Sequence, residues 1–389
     1  NMYAVYDFLR KYCGVNWINP SDYGTVAPKK KTLIVSGCEF KRKPNMLYRG
    51  GIAAYNHRYQ TNGGYWRKNT AGAKKYNQHA YEDIYKNIKH KHQIRSVVNA
   101  QNNLFQYRMK AGGEQSQCNH SFYNYYERFW KKKNNNFESY HPEYFAQGYK
   151  GDTPPQLCYS SPATVKQVVK DIRAYFDNGG YKKRMHSIGA PGYHWGENFF
   201  ALEPMDNSAF CKCEACTSLF EPERKKDHSM HSTYWFTFVN KVAKEIKKTH
   251  PDKKISTLAY MSHEGLPTGF KLEDNVVVHF CISGNRMTYN KEYLQKQFDR
   301  LQEWYDKEDV PMYLWLYNCF PLEIANNGRF YAFPGHFAHA QKQQYDLFKK
   351  LGIKGVFHCG FNGEVDNYVA YRLMDDPDLD IDVLLDEYF

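Results

Sequence analysis

The sequence lacks the features that mark membrane-spanning chains and nucleotide-dependent enzymes. No uninterrupted apolar run reaches the ~18 residues that a membrane-spanning helix needs, so we expect no membrane span. No glycine-rich dinucleotide or phosphate loop follows any predicted strand, which argues against a nucleotide enzyme. None of the given residues has the pattern of a secretory leader, and we expect any leader to have been lost with the true N-terminus. The chain starts and stops abruptly, and we expect it to be a piece of a longer protein.

The sequence also has no recognition helix, zinc-finger spacing or RNA-binding signature, although its formal net charge is +12. The lysines are scattered over predicted helix faces and do not form one stripe. We therefore interpret the positive charge as solvated surface and expect no nucleic-acid partner.

Apolar and aromatic residues are plentiful. Hydrophobic residues make up 42% of the 389 residues, enough for a sizeable core, so disorder is not expected. Aromatic residues make up 17%, with 34 Tyr and 25 Phe, which suits either a carbohydrate-binding surface or a large aromatic core.

Short β-rich runs alternate with longer helical patterns, and this alternation predicts parallel strands. Helix-start signals support it, such as Ser161 followed by Pro162. Eight strand candidates fit a (β/α)8 TIM-like barrel, with a doubly wound open sheet as the alternative. They are Tyr48–Ile52, Ile94–Val98, Gln156–Tyr159, Phe199–Glu203, Ile255–Tyr260, Val276–Cys281, Pro311–Tyr317 and Gly355–His358.

The first 44 residues do not follow the alternation of strands and helices that is predicted for the rest of the chain. Residues 2–12 predict a helix ended by Gly14, and Thr32–Val35 predicts a short strand. We predict that residues 1–44 are the end of a preceding α/β domain with a linker. Residues 45–375 are then the (β/α)8 catalytic barrel, and residues 376–389 start a C-terminal helical region.

Several stretches of the sequence resemble a group of bacterial proteins that includes glycoside hydrolase family 163. The similar stretches are YAVYDFLRKYCGVNWINPSDYGTVAPKKKTL, HPEYFA followed by QLCYSSPATVKQVVKDI, ALEPMDNSAFCKCEAC, DNVVVHFC and YVAYRLMDDPDLDIDVLLDEYF. The resemblance covers nearly the whole chain and implies endo-β-N-acetylglucosaminidase activity on N-glycans. The group is also distantly similar to the family 67 α-glucuronidases, which share a barrel after a small α/β domain.

A carboxylate pair follows the fourth predicted strand. Glu203 ends the strand, Pro204 stops it, and Asp206 follows in the loop. Catalytic groups of (β/α)8 barrels lie at this end of the strands, and partial burial raises a carboxyl pKa as a general acid requires. We predict Glu203 as the acid/base and Asp206 as its assistant. The alternatives are an ion pair for Glu203 and a turn role for Asp206.

Other residues at predicted strand ends are candidates for sugar binding or for a second carboxylate. Glu264 is one rival carboxylate, whereas Glu197 precedes its strand and would lie at the wrong end. The predicted substrate-binding set is Trp315, Tyr317, Tyr260, His263, His279, Arg286, Asn99, His120, Glu323 and Glu364.

Ten cysteines are present, and the densest cluster is CKCEAC, with Cys211, Cys213 and Cys216. Three thiols this close can bind a structural zinc, with His228 or His231 as the fourth ligand. A disulfide and reduced loop cysteines are the alternatives. Cys158, in an apolar run, is interpreted as a small buried hydrophobe.

Together these features predict a glycoside hydrolase that cleaves a β-linked N-acetylglucosamine, with retention through the substrate's own acetamide. Its partner would be a glycan or glycoprotein outside the cytoplasm, and catalysis would require no cofactor. One alternative is a glucuronidase-like exo-hydrolase that holds a carboxylate with Arg49 and Arg286. Another is a non-catalytic glycan-binding barrel.

Overall fold

The protein is described by a computed structural model. It covers residues 2–20, 24–37, 39, 41–50, 91–114, 116, 118–179, 196–284, 288, 290–318, 336–359 and 364–389. The chain divides into two compact units. The first unit comprises Asn1–Gly113, Ser283–Lys291 and Leu316–Phe389, and the second comprises Glu114–Ile282 and Glu292–Trp315.

The described residues form a mixed α/β protein. The helices are α1 (Met2–Phe8, continued by a π-helical turn at Leu9–Cys13), α2 (Lys91–Arg108), α3 (Tyr123–Phe129), α4 (Pro162–Asp177), α5 (Glu214–Thr217), α6 (Ser232–Lys247), α7 (Lys291–Lys307), α8 (Ala338–Lys350), α9 (Glu364–Asp375) and α10 (Ile381–Tyr388). The strands are β1 (Asn16–Trp17), β2 (Thr25–Val26), β3 (Tyr48–Gly50), β4 (Gly112–Gly113), β5 (Phe199–Ala201), β6 (Lys254–Ala259), β7 (Val276–Ile282), β8 (Met312–Tyr317) and β9 (Gly355–Cys359). Short 3₁₀ turns lie at Pro142–Tyr144, Pro222–Asp227 and Met261–His263.

In the second unit, β5, β6 and β7 form a parallel sheet, with Phe200 opposite Ile255 and Ile255 opposite Val276. All seven residues of β7 are buried, as expected for a parallel strand covered on both faces. Helix α6 connects β5 to β6. Because these strands are parallel, their carboxyl ends lie at one edge of the sheet, where ligands of α/β proteins bind.

In the first unit, β3 pairs in parallel with β9 and antiparallel with β4. Strands β1 and β2 form a separate antiparallel ribbon. Lys110, at a positive φ of 56° after α2, forms ion pairs with Asp7 and Asp375. The side chain of Lys110 is buried, so these two carboxylates compensate a charge that would otherwise be costly.

The structure confirms several predicted elements. Six of the eight predicted strands correspond to β3, β5, β6, β7, β8 and β9. The N-terminal helix is also present and ends at Gly14, whose φ is 71°. Ser161 caps α4 by accepting a hydrogen bond from the Thr164 amide, and Pro162 occupies the first turn.

Three predicted strands are wrong. Ile94–Val98 lies inside α2, because a short apolar run fits a helix as well as a strand. Gln156–Tyr159 forms only an isolated antiparallel bridge, in which Leu157 pairs with Phe145. Thr32–Val35 is irregular, and its Ile34 side chain is 81% exposed. An exposed segment without buried cross-strand pairs gains too little to hold a strand.

Mainly parallel strands alternating with helices are therefore established for the described residues. Closure into a (β/α)8 barrel stays a prediction, as does the division at residues 44 and 375. Within the described residues, no helix combines the length and apolar character needed to cross a bilayer.

A buried ion pair ties α3 to α4 in the second unit. The Arg128 guanidinium donates to both carboxylate oxygens of Asp171, at 2.7 and 3.0 Å, and both side chains are buried. The Tyr125 hydroxyl donates to the same carboxylate at 2.6 Å. A second carboxylate, Glu138, accepts from Arg128 Nε at 2.7 Å, but its side chain is 43% exposed.

We predict that Asp171→Ala lowers the free energy of unfolding by about 3–5 kcal/mol, because it leaves the Arg128 charge buried without its main partner. Glu138→Ala is the matched control. It should lower the free energy of unfolding by less than about 1 kcal/mol, because the Glu138 side chain is exposed to solvent. Urea denaturation of the two variants measures both values. Equal losses in the two variants would contradict this interpretation.

Candidate functional site

The side chain of Glu203, two residues after β5, is completely buried. Oε2 accepts hydrogen bonds from the Leu258 amide at 3.0 Å and from the Thr257 hydroxyl at 3.2 Å, both on β6. Oε1 lies 2.9 Å from His263 Nε2. Each carboxylate oxygen therefore has a partner inside the protein, which compensates the cost of burying this polar group.

This arrangement does not support the predicted role of Glu203 as the acid/base. A general acid must come within hydrogen-bonding distance of the substrate atom that it protonates. The Glu203 carboxylate has no exposed surface and already binds β6 and His263. Glu203 is therefore placed to hold its neighbours in position, and its role as the acid/base stays a prediction.

The backbone of Glu203 positions the segment that carries His120. The Ser121 amide donates to the Glu203 carbonyl at 3.1 Å, and the Glu203 amide donates to Ser121 Oγ at 2.9 Å. His120 precedes Ser121 and lies beside the loop after β5. Its Nδ1 is 2.6 Å from the Pro204 carbonyl oxygen, and its Nε2 is 3.4 Å from Asp206 Oδ1.

These contacts indicate which ring nitrogen of His120 carries a proton. A carbonyl oxygen can only accept, so His120 Nδ1 donates to Pro204. His120 Nε2 then faces Asp206 Oδ1 at 3.4 Å, and the two groups form an ion pair when the imidazole is protonated. Asp206 is 54% exposed, so its carboxylate is accessible from solvent.

The loop that carries Asp206 is held from two sides. The Gln156 side chain donates to the Met205 carbonyl at 2.7 Å and accepts from the Met205 amide at 3.1 Å. The Asp206 amide donates to the Tyr123 hydroxyl at 2.9 Å. The exposed carboxylate is therefore on a loop whose backbone is fixed on both sides of it.

Two tyrosines accompany Asp206 and His120. The Tyr260 hydroxyl donates to Asp206 Oδ1 at 3.5 Å, and Tyr123 is 42% exposed. Met261, next to Tyr260, has a φ of 49°, a strained backbone conformation of the kind that gathers at functional sites. His120, Tyr123, Asp206 and Tyr260 are together named the Asp206 cluster. The cluster places a carboxylate, an imidazole and two aromatic side chains close together.

The predicted site residues separate into accessible and buried groups. Tyr260 and His120 join Asp206, and His263 joins Glu203. His279 lies inside β7 with no exposed surface, stacked on Tyr313 at a ring distance of 5.2 Å, and burial lowers its pKa to about 3. Trp315 on β8 is also buried, whereas Tyr317 is partly exposed and belongs to the first unit.

The remaining predicted residues belong to the first unit or lie outside the described residues. Asn99 is on α2, and Glu364 begins α9 and accepts from the Tyr388 hydroxyl at 3.5 Å. Arg286 and Glu323 lie outside the described residues. Arg49 is buried and donates to the carbonyls of Lys110 at 2.6 Å and Met46, so it is not available to hold a uronate.

Tyr123 was missed by the sequence analysis, although it lies only three residues after His120. Its signal is weak because tyrosine is common throughout this chain. Tyr123 begins α3, and its hydroxyl meets the Asp206 amide only in the folded chain.

Four cysteine sulfurs lie close together, and three of them follow Asp206 in the same loop region. The Sγ atoms of Cys158, Cys211, Cys213 and Cys216 all lie within 4.8 Å of one another, and the cluster can hold a metal ion. The predicted fourth ligand, His228 or His231, is wrong, because Cys158 takes that place. The His231 ring packs instead between Phe210 and Phe220, and burial lowers its pKa to about 4.

Glu264, the rival carboxylate, follows the 3₁₀ turn after β6. Burial raises the pKa of its carboxyl group to about 7, although the nearby Arg300 guanidinium acts in the opposite direction. Its amide donates to the His228 carbonyl at 3.0 Å, and its carbonyl accepts from the Trp304 indole. These contacts indicate a structural role in joining the turn to α7.

The raised pKa of Glu264 makes stability pH-dependent. Because the folded-state pKa of about 7 exceeds the ordinary value of 4.5, the folded state binds more protons between these values. Stability therefore falls as pH rises through this window. We predict that Glu264→Gln raises the melting temperature at about pH 8 and that the gain disappears near pH 4.5. Thermal unfolding at both pH values tests this, with the exposed Glu197→Gln as control, and a gain of equal size at both would contradict it.

Comparison with known proteins identifies the family of the chain. No curated protein and no solved structure was found to match it. A family model described as a domain of unknown function, DUF4838, matches residues 19–389. The match covers nearly the whole chain and includes every residue of the Asp206 cluster, and the chain therefore belongs to the DUF4838 family.

Proposed function

We propose that the protein is a glycoside hydrolase that cleaves a β-linked N-acetylglucosamine in an N-glycan. The observation that carries this proposal is the His120–Asp206 pair, in which the imidazole faces an exposed carboxylate at 3.4 Å beside two tyrosine side chains. The resemblance of the sequence to glycoside hydrolase family 163 supplies the substrate class. The fold that we propose for the whole chain is the (β/α)8 barrel.

In the proposed reaction, the Asp206 carboxyl group protonates the glycosidic oxygen as the bond to the anomeric carbon breaks. The substrate's acetamide oxygen attacks that carbon, so no second carboxylate nucleophile is needed. Asp206 then removes a proton from the water molecule that opens the cyclic intermediate. The water proton restores the Asp206 carboxyl group, and His120 orients that group, because its Nε2 faces Asp206 Oδ1 while its Nδ1 is fixed by the Pro204 carbonyl.

The tyrosines and Glu203 have supporting roles in this proposal. Tyr123 and Tyr260 present aromatic faces and hydroxyl groups that can bind sugar rings near the scissile bond. Glu203 positions the site from the protein interior, since its backbone binds Ser121 and its side chain binds β6. The reaction requires no cofactor, and an N-glycoprotein substrate places the enzyme outside the cytoplasm, as a secreted, periplasmic or cell-surface protein.

The first test is incubation of the full chain with a complex N-glycoprotein, followed by mass measurement of the released glycan and of the remaining protein. We expect release that leaves one N-acetylglucosamine on the protein, which defines endo-cleavage. Failure to release sugar from any glycan offered, with retained glycan affinity, would favour a non-catalytic glycan-binding protein. Release of terminal uronic acid instead would favour the glucuronidase-like activity.

We predict that Asp206→Asn lowers kcat by about 10²- to 10⁴-fold, the usual contribution of general acid–base catalysis, with little change in KM. The amide cannot supply the proton, but it keeps the size of the carboxylate. Asp274→Asn is the matched control because Asp274 is an exposed carboxylate of the same unit that pairs with Lys247 before β7. Equal kcat for wild type and Asp206→Asn would remove Asp206 from the mechanism.

A further inference from the structure

The four-cysteine cluster has the dimensions of a tetrahedral metal site. The sulfur–sulfur distances are 3.4 Å for Cys213–Cys216, 3.6 Å for Cys158–Cys216 and 3.8 Å for Cys158–Cys213. With zinc–sulfur bonds of about 2.3 Å, the edges of a regular tetrahedron are about 3.8 Å. A disulfide bond is about 2.05 Å, so the observed spacing is that of four separate thiols.

Other groups donate hydrogen bonds to these sulfurs. The Gln147 amide donates to Cys211 Sγ at 3.3 Å. The Tyr234 hydroxyl interacts with the sulfur of Cys216. Metal-bound thiolates are commonly oriented by such donors, which also spread the negative charge of the sulfurs. The two donors come from different segments of the second unit and reach two different sulfurs of the cluster.

The burial of the cluster also favours a closed site. Cys158, Cys211 and Cys216 are each at most 4% exposed, and Cys213 is partly exposed. Four thiolate ligands leave no open coordination position, which is the arrangement of structural zinc sites. Cys213 and Cys216 have the two-residue spacing that is common in such sites, with the Cys216 amide bonded to the Cys213 carbonyl at 3.0 Å.

We propose that Cys158, Cys211, Cys213 and Cys216 bind one structural zinc ion. Cys211 lies five residues after Asp206, and Cys158 lies two residues after Gln156, which holds the Met205 backbone. The ion joins these two segments and thereby fixes the loop that carries Asp206. The metal site is independent of the activity, whereas its effect on Asp206 rests on the proposed function.

Elemental analysis of the full chain, purified without added chelator, tests the site directly. We expect about one zinc per chain in the wild type, and loss of zinc in Cys158→Ser and Cys216→Ser. Cys13→Ser and Cys118→Ser are the matched controls and should keep the ion. Cys118 is a buried cysteine of the same unit whose sulfur donates to the Ser256 carbonyl, so it controls for the destabilisation of a core substitution.

Cobalt exchange provides a test that does not depend on the folding of a variant. Wild-type protein stripped by a chelator and reloaded with Co²⁺ should show the visible absorption of a tetrahedral cobalt thiolate, and zinc should abolish it. Chelation should also lower the melting temperature of the wild type, because metal binding is linked to folding.

Several results would overturn the proposal. One is a metal-free chain whose mass is lower by the hydrogens lost on disulfide formation. The others are a chain that contains iron in place of zinc, and a Cys158→Ser variant that keeps its full zinc content. The metal content can be measured whether or not the chain cleaves a glycan. A failure of the hydrolase proposal therefore does not affect the test of the zinc site. If the chain is active, Cys216→Ser should lower kcat more than Cys118→Ser does, because only the former loosens the Asp206 loop.

Discussion

The buried carboxylate of Glu203 is the contact on which the arrangement of the second unit's site depends. Its side chain joins the end of β5 to two groups on β6 and to His263. Its backbone joins the same point to Ser121. A carboxylate without exposed surface remains in a protein only when such hydrogen bonds compensate its lost hydration. The requirement to satisfy this one group therefore fixes three segments around it.

The exposed part of the site follows from this constraint. Ser121 is held by Glu203, so the preceding His120 lies against the Pro204 carbonyl and faces Asp206. Two carboxylates only three residues apart thus have different environments. The interior one has hydrogen-bond partners on both oxygens, and the exposed one faces an imidazole. Environment alone can give two neighbouring carboxylates different properties.

The cysteine cluster gives the same loop a second anchor. Gln156 holds the loop at Met205, and Cys158, two residues later, meets the three loop cysteines. The segment around Gln156 to Tyr159 pairs with Phe145 through one bridge and is not a barrel strand. Its Gln156 and Cys158 side chains contact the loop, so a segment that was predicted as a strand helps to hold that loop.

Local signals in the sequence determined the elements whose stability is local. The Ser161 cap and the left-handed Gly14 act through neighbours a few residues away, and both were predicted correctly. The apolar runs of β6 and β7 are visible in the sequence itself and were also predicted correctly. The carboxylate pair was predicted to follow the fourth strand, and β5 does end at Ala201, two residues before Glu203. Ile94–Val98 was predicted wrongly because five residues do not distinguish a helix from a strand.

Only the tertiary structure decided which carboxylate is buried and which cysteine completes the cluster. Glu203 finds its partners on β6, 54 and more residues away in the sequence. Cys158 lies 53 residues before Cys211 and carries no local mark of a metal ligand, since a cysteine in an apolar run has the same sequence pattern whether it packs or binds. Burial and metal ligation depend on distances between segments, and spacing along the chain does not contain those distances.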